Sequence, residues 1–167
     1  VNNSYELAKN YIDEKRNKVE SDIILVSYDL NKNINIFKNN VSLLQNFLNT
    51  QRLLRGLDQI HIINSDRKVL FSSTETGYLQ VEERAINMVL NDYKPLKIIN
   101  AYENKSAAII KIQSMNNAFL YVVKFLDEDI SNYLKESEEA INFYYTVEDQ
   151  RTGIKFSFAL IYIIIVT

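Results

Sequence analysis

The chain has 167 residues, 47% of them hydrophobic and 24% charged, and a formal net charge of -2 with the two signs interspersed. These values fit one globular domain with one core, exclude a disordered chain, and leave no basic stripe to neutralise a run of phosphates, which argues against nucleic acid as a partner. With no cysteine, one histidine, no tryptophan, three glycines and one proline, the chain offers no disulfide, no thiolate metal site, no cysteine nucleophile and no glycine-rich phosphate loop.

From Ser4 to Leu30 there is no Gly or Pro, and Tyr5, Ala8, Ile12, Val19, Val26 and Leu30 recur at spacings of three, four or seven. That spacing predicts a long helix with a heptad-like seam, whose first part, Tyr5, Ala8, Ile12 and Val19, is the candidate dimer contact. Lys15 and Asp22 fall on the seam and argue against tight coiled-coil packing along all of it. The Asn-rich stretch from Asn31 to Asn40 is expected to break the helix. A second helix is predicted from Val41 to Arg55, with Leu44, Phe47, Leu48 and Leu54 inward, Asn40 as N-cap and Gly56 just past the end.

The period then changes. Leu57 to Asn64 and Val69 to Ser73 read as two strands of a hairpin around the turn Ser65-Asp66-Arg67-Lys68. Gln80 to Tyr93 returns to helical spacing through Val81, Ala85, Met88 and Val89, and Pro95 ends it. Three antiparallel strands follow, at Lys97 to Asn100, Ser106 to Gln113 and Ala118 to Leu126, with polar turns at Glu103-Asn104 and Met115-Asn116-Asn117. In the last strand Phe119, Tyr121, Val123 and Phe125 alternate with Ala118, Leu120 and Val122, so both faces of the sheet are expected to be covered.

Asp127, Glu128 and Asp129 form the acidic first turn of an exit helix predicted to reach about Gln150. After Lys155 no charge remains, and Phe156 to Val166 is apolar all round. We read this run as the start of a transmembrane helix, with Phe156, Phe158, Leu160, Ile161 and Ile164 as transmembrane residues, cut at Thr167 short of the roughly 20 residues a bilayer needs. The alternative is a buried C-terminal strand or core helix. Val1 to Asn10 is polar and amphipathic, so no complete spanning helix or signal peptide opens the sequence.

The elements divide the chain into a long N-terminal signalling helix and linker at 1–40, a sensor core at 41–127, the exit helix at 128–152 and the membrane segment at 153–167. The class is α+β: a long N-terminal helix on a five-stranded antiparallel sheet, with a helical crossover after the hairpin. That order resembles the PAS-like, single Cache fold of bacterial extracytoplasmic sensors.

Ser4-Tyr5, Tyr11-Ile12-Asp13-Glu14, Asp29-Leu30-Asn31, Leu54-Arg55-Gly56-Leu57, Asn64-Ser65-Asp66 with Lys68-Val69-Leu70, Tyr121-Val122 and Phe158-Ala159-Leu160-Ile161 together are similar to the N-terminal sensor region of NtrY-type nitrogen-regulation histidine kinases. The resemblance implies a homodimer at the bacterial inner membrane with this domain periplasmic, a membrane anchor before Val1, and a HAMP linker, a PAS domain and a kinase core after Thr167. It also implies a cytoplasmic response regulator as the full-length protein's partner and a small molecule or periplasmic protein as its signal. The hairpin turn departs from the family's Ser-Asp-Gly, since Arg67 stands where the glycine would; if that position needs a positive φ, Arg is strained there.

The same resemblance puts a ligand pocket on the sheet face away from the long helix, closed by the segment after the hairpin. Tyr121 and Lys124 on the last strand, His61 on the first and Arg55 before it would offer a phenol, an ammonium, an imidazole and a guanidinium to a small anion. Plain core for Tyr121, solvated charges for Lys124 and Arg55, and a half-buried strand position for His61 remain open. His61 is not read as a phospho-acceptor, because such a histidine sits on a dimeric helix. Tyr133, Tyr144 and Tyr145 suit either an interface or a membrane headgroup belt. No catalytic constellation, cofactor or metal site can be assembled for this fragment. The alternatives to a kinase sensor are a protein-interaction module without a small ligand and the sensor of a chemoreceptor or cyclase.

Overall fold

The structure, a computed structural model, describes residues 2–73, 81–91, 93–136, 141–149 and 154–162. The long helix α1 spans Asn2–Lys32. Its inward stripe, Val19, Ile23, Val26 and Leu30, is fully buried against Ile60, Ile62, Ala108, Leu120 and Val122 of the sheet. At about 1.5–3 kcal/mol for each fully buried aliphatic side chain, this stripe holds α1 to the sheet far more firmly than helix propensity alone would. Ala8, Ile12 and Val19, expected at a dimer contact, are 3%, 6% and 0% exposed within their own chain. Ile12 packs with Ile99, Ala101, Leu126 and Leu134, so the seam is occupied by the sheet and α5. The side chain of Tyr5 lies outside the described residues.

Asn33 breaks α1 as expected, but the Asn-rich stretch also contains a one-turn helix, α2 (Ile34–Lys38), which buries Phe37. The next helix, α3 (Val41–Arg55), has the predicted bounds. The Asn40 side chain accepts a hydrogen bond from the Leu43 amide at 3.1 Å, and Gly56 follows at φ 65° with its amide hydrogen-bonded to Leu53 and Arg52 carbonyls. Leu44 and Leu48 are buried as expected, whereas Leu54 is 76% exposed. Leu54 follows the buried stripe by six residues, which places it off that face.

The sheet order is β2-β1-β5-β4-β3-β6-β7, every neighbour antiparallel. Its strands are β1 (Gln59–Ile63), β2 (Val69–Ser72), β3 (Leu96–Asn100), β4 (Lys105–Lys111), β5 (Phe119–Phe125), β6 (Ile141–Asp149) and β7 (Ile154–Tyr162). The first five are those expected. Arg67 takes φ 67° in the β1–β2 turn, so the chain keeps the left-handed geometry without the glycine that would suit it. The Asn64 side chain holds the turn by accepting from the amides of Asp66 and Lys68. The helix after the hairpin, α4 (Glu83–Val89), buries Ala85, Ile86 and Val89 on the sheet face opposite α1. β5 lies in the middle of the five-stranded part and is buried on both sides, as its alternation predicts.

The C-terminal part corrects the sequence reading. The exit helix α5 is Glu128–Glu136, not a helix to Gln150, and β6 pairs with β3 from Leu96 opposite Tyr145 to Asn100 opposite Ile141. Ile154–Tyr162, the stretch carrying Phe156, Phe158, Leu160 and Ile161, is a strand paired to β6 where a helix was expected. Freedom from Gly and Pro suggested helix here. The β-branched and aromatic residues in Ile141-Asn142-Phe143-Tyr144-Tyr145-Thr146-Val147 favour a strand beside the otherwise unpaired edge of β3. Ile164 lies outside the described residues. Among the described residues no helix is long and apolar enough to cross a membrane.

Candidate functional site

Strand alternation sorts the expected pocket residues onto two faces. His61 and Tyr121 sit opposite each other on β1 and β5 and both face α4, with ring centroids 6.4 Å apart. Arg55 and Lys124 belong to the α1 face. Lys124 Nζ donates to the Gly56 carbonyl at 2.9 Å and lies 3.8 Å from Asp58. Arg55 donates to Gln51 at 2.8 Å and faces Asp22 at 3.7 Å. The four residues therefore do not form one site.

His61 is fully buried. Its Nδ1 is 2.9 Å from Ser72 Oγ and its Nε2 is 3.2 Å from Gln59 Oε1. Burial pulls its pKa down to about 4, so the ring is neutral at neutral pH. Gln59 Oε1 can only accept, which assigns the proton to Nε2 and makes Nδ1 the acceptor of the Ser72 hydroxyl.

Around Tyr121 the structure gathers four residues the sequence reading did not single out: Glu82 before α4, Asn100 at the end of β3, Glu103 in the 3-10 turn Ala101–Glu103, and Lys105 at the start of β4. Lys105 is 4% exposed, and its ammonium lies 3.1 Å from Glu103, 3.5 Å from Glu82 and 5.4 Å from the Tyr121 ring centroid. Burial alone would lower its pKa, but the two carboxylates beside it raise it overall. The Asn100 amide donates to both carboxylates, at 2.9 and 2.8 Å, while its oxygen accepts the Glu103 amide. Two buried polar atoms here make no hydrogen bond of good geometry among the described residues, Glu82 Oε2 and Tyr121 Oη, although the Lys105 ammonium acts on the phenol oxygen. Burial raises the Tyr121 pKa more than Lys105 lowers it, so the phenol stays protonated.

A strand signal existed for Lys105: positions 105, 107 and 109 share a face by twos, which puts Lys105 with Ala107 and Ile109 beside Tyr121. Glu82, Asn100 and Glu103 belong to loops and strand ends, where alternation gives no direction. The segment 74–80, expected to close the pocket, lies outside the described residues, and among those described no group of His, Asp and Glu could hold a metal ion.

On the other face, Lys97 is fully buried and pairs with Glu20 of α1 at 2.9 Å. Burial lowers its pKa against the opposing pull of Glu20. The Asp127 amide donates to the Tyr11 hydroxyl at 2.8 Å, which ties the start of α5 to α1.

The nitrogen regulation protein NtrY of Azorhizobium caulinodans is 26% identical to this chain over 171 residues, covering 99% of it. A putative sensor histidine kinase, NtrY-like, from Rickettsia conorii is 21% identical, again over 99% of the chain. The chain spans only 22% and 28% of these two relatives' own lengths. Among solved structures, the phycocyanobilin-bound GAF domain from a cyanobacterial phytochrome overlaps 78% of this chain and 76% of its own at 12% identity, with a TM-score of 0.27, too low to relate the folds. A family model described as the NtrY N-terminal region matches residues 1–166, a span that takes in every helix and strand above, and the chain belongs to that family.

Proposed function

We propose that this chain is the extracytoplasmic sensory domain of an NtrY-type sensor histidine kinase at the bacterial inner membrane, one that receives a signal on the α4 face and passes it to a cytoplasmic kinase core and its response regulator. The observation that carries this reading is the open polar group beneath α4: a phenol and a carboxylate oxygen, buried without a hydrogen bond of good geometry among the described residues in a domain of this family. A ligand that binds one arrangement of sheet and helices better than another shifts the equilibrium by its differential affinity. The shift has a route out, because β3 and β4 carry polar residues of the site on one face and contacts to α1 on the other, and α1 is tied to α5 through Tyr11 and Asp127. A homodimer belongs to the proposal. Its contact falls on the outer side of α1, where Leu7, Ile24, Leu25 and Tyr28 are exposed.

Membrane attachment is proposed through Phe156 to Val166, which has no charged side chain. The outer edge of a terminal strand has no backbone partners in hydrocarbon, so entering the bilayer requires this run to exchange its pairing with β6 for a helix. A cysteine pair at Thr146 and Ser157, opposite each other in the β6–β7 register, reads that exchange in the membrane-embedded full-length protein. No disulfide is expected on oxidation, and efficient cross-linking rules out the membrane role of the run.

Location is read separately. The chain has no cysteine of its own, so Lys68→Cys in the exposed β1–β2 turn reports sidedness in the full-length protein against an unsubstituted control. Labelling by a membrane-impermeant maleimide in cells with only the outer membrane permeabilised is the expected result; labelling that appears only after lysis removes the extracytoplasmic reading. A second reading, a domain that senses a protein, draws on Leu53 and Leu54, which stand 63% and 76% exposed on α3.

A further inference from the structure

The polar cluster beneath α4 has an uneven balance of charge and of hydrogen-bond donors. Among the described residues its one cation, the Lys105 ammonium, faces two carboxylates, Glu82 and Glu103. Asn100 adds two donors but no charge, and they go to Glu82 Oε1 and Glu103 Oε2. The group is therefore short of one positive charge. Glu82 Oε2, buried without a partner, marks where a donor is missing. Beside it the buried Tyr121 hydroxyl, whose oxygen feels the Lys105 ammonium, has a proton to donate that no described residue accepts.

We infer that this site binds a small organic ammonium ion, whose N–H groups are taken by Glu82 Oε2 and which carries an acceptor within reach of the Tyr121 hydroxyl. The inference rests on the sensor reading above and names the chemistry of its signal. An anion is disfavoured, because Lys105 already faces two carboxylates and His61 is neutral. Arg67 also reaches this face, donating to the Val81 carbonyl at 3.2 Å, but it is exposed and water screens its charge. A metal ion is disfavoured too, since among the described residues two carboxylates meet here and the Lys105 ammonium repels it. A cation paired with a buried carboxylate forms the stronger, charge-assisted kind of hydrogen bond, so the site favours a charged amine over a neutral one.

Calorimetric titration of the full-length protein in lipid nanodiscs with methylammonium, ethanolammonium and glycinamide, against sodium acetate at equal ionic strength, tests this. At least one of the three amines is expected to bind saturably and acetate not at all. Glu82→Gln is expected to weaken that binding by about tenfold or more, and Tyr121→Phe several-fold for the two amines that carry an oxygen acceptor. Circular dichroism of both variants guards against unfolding, and Glu103→Gln, at a more exposed carboxylate, gives a second reading of the charge deficit. The inference is overturned if none of the three amines binds, which leaves the open atoms to water. It is equally overturned if acetate binds in a Tyr121-dependent way, or if Glu82→Gln and Glu103→Gln both leave amine binding unchanged. Maleimide labelling of Lys68→Cys is independent of these outcomes, so failure here leaves the extracytoplasmic sensor reading to its own test.

Discussion

The two faces of the sheet use the same strands and finish their polar groups differently. Under α1, a helix of 31 residues, the buried charges meet counter-charges, Lys97 with Glu20 and Asp22 with Lys18 and Arg55, and the half-buried Lys124 meets the Gly56 carbonyl. Under α4, a helix of seven residues, Lys105 is over-matched by two carboxylates, and a phenol and a carboxylate oxygen make no hydrogen bond of good geometry among the described residues. A long cover can bring a complementary residue from one of its many turns to each polar strand position. A short cover cannot, and the positions it leaves open are where a ligand has something to complete. The α1 face has open atoms of its own in Ser106 Oγ and Arg16 Nε, but a small hydroxyl is far less costly to bury alone than a carboxylate, and the Arg16 guanidinium pairs with Asp13 at 2.9 Å through a terminal nitrogen.

The largest expected effect tests whether the α1 face is sealed by charge. Glu20→Ala leaves the fully buried Lys97 ammonium without its carboxylate and is expected to cost about 3 kcal/mol in urea unfolding, toward the lower end for breaking a buried pair because Glu20 keeps 18% of its side-chain exposure. Lys97→Met removes the charge and fills the space, and is expected to cost less than about 1 kcal/mol. Equal losses for the two would show that Lys97 acts through packing alone.

His61 gives the next effect and belongs to the α4 face, although both of its ring nitrogens have partners. Its folded pKa is about 4 against 6.5 for the unfolded chain, so below pH 6.5 the unfolded chain binds the proton first. Stability is then lost as pH falls, by about 2 kcal/mol between pH 7 and pH 5, and the loss levels off below the folded pKa. His61→Gln should flatten the stability curve over that interval. An unchanged slope would assign the acid sensitivity to carboxylates.

Much of this was legible in the sequence, and the limits have physical reasons. The α3 bounds followed from Asn40 and Gly56 because a cap and a left-handed residue are local events, and the faces of β5 followed from alternation. The C-terminal strands stand where helix was expected because apolar residues without breakers satisfy helix and strand alike, and here the β-branched and aromatic content favours strand. His61 and Tyr121, put in one pocket by the resemblance, are found on the same face of the sheet. Lys124 is not, since it neighbours Val123 on β5 and a step of one residue crosses to the other face. Glu82 and Glu103 reach Lys105 from segments whose direction depends on the tertiary fold.

Lys124→Met tests the rim of the α1 face. The ammonium bonds the carbonyl of Gly56, but its side chain is 29% exposed and that of Asp58 33%, so water competes for both and the expected loss is under about 1 kcal/mol. A loss as large as that of Glu20→Ala would mean that the rim holds α3 to the sheet as firmly as the centre holds α1.

The smallest effect has the opposite sign and bears most directly on the comparison. Tyr121→Phe deletes a buried hydroxyl whose proton no described residue accepts and keeps the ring that packs beside His61 and under the Lys105 ammonium. Removing an unsatisfied polar atom from an apolar setting relieves its desolvation cost, so the ligand-free variant should be as stable as the parent or more stable by up to about 1 kcal/mol. On a closed face the same substitution would break a hydrogen bond and lower stability by about 1 kcal/mol. Thermal unfolding of parent and variant without added amines separates the two. A drop in stability would mean that the hydroxyl is already satisfied within the domain and that the α4 face is as complete as the α1 face, whereas a gain coupled to lost amine binding ties the open atom to the signal it receives.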